Sequence, residues 1–383
     1  MIKRISLFII AFSIILSTNR CSQPDQKNTS QASTISEDFT IASPESVGLD
    51  TAKLEFLKQA ILSGEYPNIH SVLISKDGKL VYEQYFKGKD EIWGDDLGVI
   101  EHNKDDLHDI RSVSKSVVSA CIGVAIAQGK IDSINQRVFD FYPEYAQYDS
   151  GIRSNLTVEH LLTMSSGIEW NEDVPYDDPR NSEILMTSSP DPIAFVLSRP
   201  METEPGQVWE YNGGTTQLLA SIIKKVSGKE IDEFAKEHLF APLGIQEFTW
   251  TRFPGLDLPA AASGLRLRSR DLMKFGMLYA NRGKWDGVQI LPEAWVDASF
   301  QSHVSLGRRK GAGYGYQFWI SESNVAGQEI NLATAIGNGG QRIFVDRTRD
   351  LIVVITAGNY NQWDIKNDSH SVLYDLVYPA FGF

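Results

Sequence analysis

Apolar and polar positions along the chain change period several times. From Ile69 to Phe86, "IHSVLISKDGKLVYEQYF" sets two β-rich runs on either side of Asp77-Gly78, a spacing that predicts an antiparallel hairpin. From Val113 the period becomes helical, with Val113, Val117, Cys121 and Val124 on one stripe. Between Ile131 and about Pro254 the pattern stays mostly helical. "TVEHLLTM" begins with a cap candidate at Thr157, and "TTQLLASIIKKVSG" stops at Gly228. "SRDLMKFGMLYANRG" predicts a further helix, and "QRIFVDRTRDLIVVITAGNY" predicts two strands around a polar turn near Thr348 to Asp350.

These elements predict an α/β (α+β) fold: an antiparallel sheet flanked by helices and built from both ends of the chain, with a mostly helical domain inserted. The expected organisation is a leader over 1–21, a flexible tether over 22–45, a sheet domain from 46–125 and 260–383, and a helical domain over 126–259. The leader reading rests on "MIKRISLFIIAFSIILSTNR", a basic start followed by an apolar run too short to span a bilayer comfortably. Export follows as an expectation. Cys21 stands before a polar stretch, as in a bacterial lipoprotein start, but Thr18, Asn19 and Arg20 fit that signal poorly. A periplasmic chain and one tethered to the membrane through Cys21 therefore both stay open. Cys121, in the middle of an apolar helix, reads as a buried inert thiol.

The 383 residues are 42% hydrophobic, enough for one large core or two modest ones, which excludes disorder over most of the length. A formal net charge of -13 without a long basic tract excludes a nucleic-acid partner. The seven histidines show neither H-E-x-x-H nor another close ligand pair, so the sequence predicts no metal and no cofactor; His108 reads as structural. No G-x-S-x-G occurs, which removes the α/β-hydrolase elbow.

One candidate chemistry stands out. In "SVSK", Ser112 and Lys115 lie three residues apart at the head of the predicted helix, on one side of its first turn and at the positive end of its dipole. Serine is also a favoured helix cap, and "SIIK" at Ser221 to Lys224 repeats the spacing inside another helix. Two further features favour the catalytic reading of the first copy. Tyr211 lies in a glycine-containing loop before a helix, and Gly339-Gly340 leads into a strand where a substrate could approach the backbone.

In this order the blocks "IRSVSKSVVSACIGVAIAQGKI", "LTVEHLLTMSSGIEW", "PGQVWEYNGGTTQLLASIIKKVSG" and "GNGGQRIFVDRTRDLIVVITAGNY" resemble the serine β-lactamase and penicillin-binding-protein-like superfamily, over about Ser46 to Pro379. The likeness is nearest the branch of class C β-lactamases, D-alanyl-D-alanine carboxypeptidases, esterases and 6-aminohexanoate-dimer hydrolases. It implies Ser112 as the acylated nucleophile, Lys115 beside it, and Tyr211 sharing proton transfer. It also implies Asn338, Gly339 and Gly340 at the family's Lys-Thr-Gly or His-x-Gly position, with the Gln341 and Ser112 N–H groups as oxyanion donors. Gly213 replaces the family's Asn and Asn338 its cation, departures that bear on substrate more than on acyl transfer. The implied activity is an exported serine hydrolase acting on a small-molecule ester or amide, esterase-like. The alternatives are a class C-type β-lactamase or carboxypeptidase, and a sensor acylated once without turnover.

Overall fold

The structure, a computed structural model, describes residues 38–306 and 311–382. The expected leader, Cys21 and the tether up to residue 37 lie outside the described residues. The first hairpin forms where the sequence places it: β1 (Ile69–Lys76) and β2 (Lys79–Tyr85) turn at Asp77 and Gly78. Their φ values are 51° and 70°, as a two-residue type I′ turn requires. β3 (Lys87–Ile92) and β4 (Asp95–Glu101) pair as a separate ribbon. β5 (Leu107–Asp109) joins a small sheet with β6 (Thr249–Trp250) and β7 (Leu265–Arg268). β8 (Lys284–Trp285) and β9 (Val288–Gln289) form another small ribbon.

β10 (Val304–Ser305), β11 (Ala312–Tyr314), β12 (Trp319–Val325), β13 (Gln328–Gly337), β14 (Gln341–Asp346) and β15 (Leu351–Ala357) complete the main sheet. Its order is β10-β11-β12-β13-β14-β15-β1-β2, antiparallel throughout, so the β1–β15 pair joins the two ends of the chain. β1 and β15 are buried along nearly their whole length, and β15 accordingly reads as a nearly unbroken apolar run.

One face carries α8 (Ser269–Ala280), where Gly276 lets Ile343 and Ile352 approach; a Cβ there would lie 2.9 and 2.7 Å from them. The other face carries α1 (Thr51–Leu62) and the C-terminal segment from Ser369 to Ala380, with Leu54, Leu57, Val372, Leu373 and Leu376 in one apolar cluster with Val72 and Val353. α2 (Val113–Ala127) packs against β13 and against the helical part, which contains α3 (Val158–Leu162), α4 (Ser182–Thr187), α5 (Pro192–Ser198), α6 (Gly213–Ser227) and α7 (Ile231–Ala235). Thr157 caps α3 through its side chain, and Gly228 ends α6 at φ 76°.

Two boundaries differ from expectation. The tether predicted up to residue 45 is part of the fold from residue 38: Phe39 is buried, Thr40 and Ala42 pair with Leu80, and Asp38 meets Lys274 at 2.7 Å. A lone Phe in a polar stretch has no periodicity to announce this. The helical stretch also shares one core with the sheet, since Leu161, Leu218 and Phe234 belong to the same buried cluster as Val117, Leu272 and Val354. β6 even crosses the predicted boundary at residue 259, because Thr249–Trp250 pairs with β7.

Candidate active site

β5 brings the chain to Asp109 and then through Ile110 and Arg111 to Ser112, the residue preceding α2. Arg111 takes φ 49°, a costly conformation for a residue with a Cβ. It is held there by ion pairs with Glu91 and Asp109 and by the rings of Trp93 and Tyr360, 5.2 and 4.8 Å from its guanidinium. Arg266 braces Asp109 in turn at 2.8 Å.

Although Ser112 occupies a cap position, its side chain makes no capping hydrogen bond. The hydroxyl instead accepts from Lys115 Nζ at 3.1 Å. Lys115 is buried, also donates to the Ala262 carbonyl at 3.1 Å, and lies 4.9 Å from the centre of the Tyr211 ring. The other serines serve structure. Ser114 Oγ donates to the Arg111 carbonyl at 2.6 Å and accepts from Leu265 N at 3.2 Å. In the second Ser-x-x-Lys copy, Ser221 bonds Tyr142 and Lys224 pairs with Glu230.

Tyr211 reaches Ser112 from the loop before α6. Desolvation and the nearby Glu172 carboxylate push its phenol well above the usual tyrosine range, while the hydrogen bond with Ser112 acts the other way. Glu172 and Glu183 were not singled out in the sequence. Glu172 Oε1 accepts from the Gly213 N–H and Trp170 Nε1, both at 2.5 Å, and Glu183 accepts from Ser263 Oγ at 2.6 Å. Desolvation and repulsion from Glu183 hold the Glu172 carboxyl above the ordinary range, up to about 8. Gly213 thereby acquires a reason. A Cβ there would lie 2.9 Å from an oxygen of each carboxylate.

A cavity of about 310 Å³ opens on this group, lined by Ser112, Glu172, Trp209, Tyr211, Trp319 and the β13–β14 turn. β13 ends at Gly337, whose bare Cα packs on the Ile110 carbonyl beside Ser112. Asn338, Gly339 and Gly340 follow on the cavity wall, the two glycines at φ 88° and 99°. The Asn338 side chain is committed to Asn361, donating through Nδ2 at 2.7 Å and accepting its N–H at 2.9 Å.

Two of the residues implied by the resemblance are not brought to the cavity. Gln341 is fully buried and turns its side chain onto Ala357, because it already belongs to the β14 ladder opposite Gly337. Gly213 faces Glu172 instead of the cavity. Arg342 takes the opposite course and lines the cavity, donating to the carbonyls of Gly337 and Gln341 at 2.8 and 2.9 Å. Cys121 is a free, buried thiol, held above its ordinary range by desolvation.

His70, Asp90, His102 and His108, which sequence spacing keeps apart, come together with ligand atoms within 4.8 Å of one another, because strand pairing joins them.

A family model described as Beta-lactamase matches residues 70–372. The chain is 27% identical over 278 residues to the 6-aminohexanoate-dimer hydrolase of Paenarthrobacter ureafaciens, covering 65% of this chain and 66% of that protein. It spans about half, 49%, of another curated relative's length, from Escherichia coli (strain K12). Among solved structures, a family VIII carboxylesterase superposes with a TM-score of 0.67 at 16% identity, covering 89% of this chain and 98% of that one. The octameric penicillin-binding protein homologue from Pyrococcus abyssi gives 0.65 at 21%, covering 87% and 78%.

Proposed function

This chain belongs to the beta-lactamase family of serine hydrolases, and from that premise we propose that it cleaves a small ester or amide through an acyl-enzyme on Ser112. The observation that carries the reading is the Ser112 hydroxyl held between Lys115 Nζ at 3.1 Å and the Tyr211 phenol, on the wall of an aromatic cavity. Lys115 in its neutral form takes the Ser112 proton while Oγ attacks the substrate carbonyl carbon. The retained proton on Tyr211 supports Lys115 over a phenolate as the base. The charge on the carbonyl oxygen is met by the N–H groups of Ser112 and Asn338, the residues that border the cavity where Gly337 packs on Ile110. Tyr211 then passes a proton to the leaving oxygen or nitrogen as its bond to the acyl carbon breaks, and Lys115 returns the proton from Ser112 to Tyr211. Water attacks the acyl-enzyme, gives a proton to Lys115, and releases the acid as Ser112 regains its hydrogen.

Trp209, Tyr211 and Trp319 offer an apolar seat for the acyl group. A neutral ester and a small amide both suit it, and Arg342 adds a cation on the same wall. The basic start and short apolar run further support export, with Cys21 as the residue to examine. Mass spectrometry of the native N-terminus and fractionation of Cys21→Ser distinguish a lipid-tethered protein from a free periplasmic one; a retained leader in the cytoplasmic fraction would refute export.

The activity is tested by fluorophosphonate labelling followed by p-nitrophenyl butyrate turnover. Labelling of wild type but not Ser112→Ala, with steady turnover after any burst, is the expected result. Release of one equivalent and then silence would replace the hydrolase by a sensor acylated once.

A further inference from the structure

We propose that His70, Asp90, His102 and His108 bind one divalent transition-metal ion, zinc being the best match, as a closed structural site beside the catalytic strand. The four residues come from β1, β3, the connection between β4 and β5, and β5. Each is more than nine-tenths buried, and their ligand atoms lie within 4.8 Å of one another.

The ring nitrogens need partners. His70 Nδ1 and both ring nitrogens of His102 and His108 are buried without a hydrogen-bond partner among the described residues. Neutral, unpartnered polar groups are costly inside a protein. The rings do not satisfy one another: His70 and His102 stack face to face at 3.9 Å between centroids, and His108 lies tilted at 5.5 Å from His70 and 5.0 Å from His102. In-plane N–H groups in that arrangement do not aim at a neighbour's lone pair. A cation at the nitrogen edges of the rings would use those lone pairs.

The surroundings resemble a built site. His70 Nε2 lies 2.9 Å from the Lys89 carbonyl and donates its N–H there, which leaves the buried Nδ1 lone pair without a partner among the described residues. Asp106 Oδ2 lies 3.8 Å from His102 Nδ1, an outer carboxylate for that ring. Glu91 N and the Tyr360 hydroxyl donate to Asp90 Oδ1 at 2.9 and 3.3 Å. Gly88 and Gly358 leave room for the His70 ring; a Cβ at either would stand 2.6 or 2.7 Å from it.

Three imidazoles and one carboxylate form a set suited to tetrahedral zinc, and full burial leaves no open position for substrate. The ion would bind β3, β5 and the β4–β5 connection to β1. The consequence reaches the active site, because His108 lies on the strand that leads to Ser112 and Tyr360 bonds both Asp90 and the Asp109 carbonyl.

The test uses the full chain, stripped with chelator and reloaded with zinc or with cobalt. About one zinc per chain by inductively coupled plasma mass spectrometry, an intense tetrahedral-type cobalt spectrum, and a higher melting temperature with zinc are expected. His102→Ala, in a connection and outside any strand, and the near-isosteric Asp90→Asn are both expected to lower retained zinc by at least about tenfold. Wild type retaining less than about 0.1 zinc per chain after reloading would overturn the site, as would full retention by both variants. Because wild-type stoichiometry is read directly, misfolding of one variant does not shelter the proposal.

Discussion

At the scale of single residues, the candidate active site separates into what a motif can announce and what only folding assembles. Ser112 and Lys115 are legible because one helical turn relates them, and Tyr211 because a glycine-containing loop precedes α6. Glu172 and Glu183 look like ordinary acids in a polar stretch; their meaning comes from Gly213, which leaves them space. Lys115→Ala and Tyr211→Phe should each lower kcat on p-nitrophenyl butyrate by about two to four orders of magnitude. Ser114→Ala should retain labelling while losing about 1–3 kcal/mol of stability, because it frees a buried Leu265 N–H. A labelled, fully active Lys115→Ala would remove that residue from the mechanism. Glu172 makes a pH prediction. Its folded value near 8 stands above the ordinary 4.5, so the folded chain keeps a proton that the unfolded chain releases between those values. Stability from this group is therefore complete below about 4.5 and is lost as pH rises toward about 8. Glu172→Gln removes that slope. Its urea midpoint should exceed wild type at about pH 9 and approach it at about pH 4.5; parallel midpoints at both values would show that the carboxyl does not hold its proton.

At the scale of elements, local signals carried well and close approaches did not. The Asp77-Gly78 turn, the Thr157 cap and the Gly228 stop each lie within a few residues of the element they control. The β13–β14 turn depends on what surrounds it: Gly337 on Ile110, Gly339 against the Tyr360 ring, and Asn338 tied to Asn361. Those contacts decide that Gln341 is withdrawn while Arg342 reaches the cavity, and they change the substrate argument. The cation missing at Asn338 has a counterpart in Arg342 on the same cavity wall. Burial lowers the Arg342 guanidinium only to about 10, so it stays charged near neutral pH. A charge-assisted contact of about 1.5–3 kcal/mol corresponds to about ten- to a hundredfold in binding. Arg342→Met should therefore raise KM for p-nitrophenyl hemisuccinate by that factor relative to p-nitrophenyl butyrate. Loss of the bonds to Gly337 and Gln341 should weaken both substrates together, so the ratio isolates the charge. An unchanged ratio would mean that Arg342 serves the turn alone.

At the scale of the whole molecule, β-rich runs at both ends made the sheet legible, but not which distant segments would seal its outer face. The buried histidine cluster was hidden for the same reason, since β1, β3 and β5 meet only after the sheets form. The C-terminal segment packs beside α1, with Asp50 N bonding the Ala380 carbonyl at 2.9 Å and Lys53 Nζ reaching the Pro379 carbonyl at 2.8 Å. Val372, Leu373, Leu376, Val377 and Tyr378 are each at most 4% exposed and cover β1, β14 and β15 together with α1. Burying one such side chain contributes about 1.5–3 kcal/mol, and the five together about 7–15 kcal/mol. That is the scale of a protein's whole stability, about 5–15 kcal/mol. A chain stopped after Asp368 would also leave Val72, Val353 and Ile355 open to water. It should lack a cooperative unfolding transition and Ser112 labelling, even though every residue assigned to the chemistry is still present. Differential scanning calorimetry and fluorophosphonate labelling of the truncated chain check this together; a transition near the wild-type temperature would show that α1 alone suffices to cover the sheet.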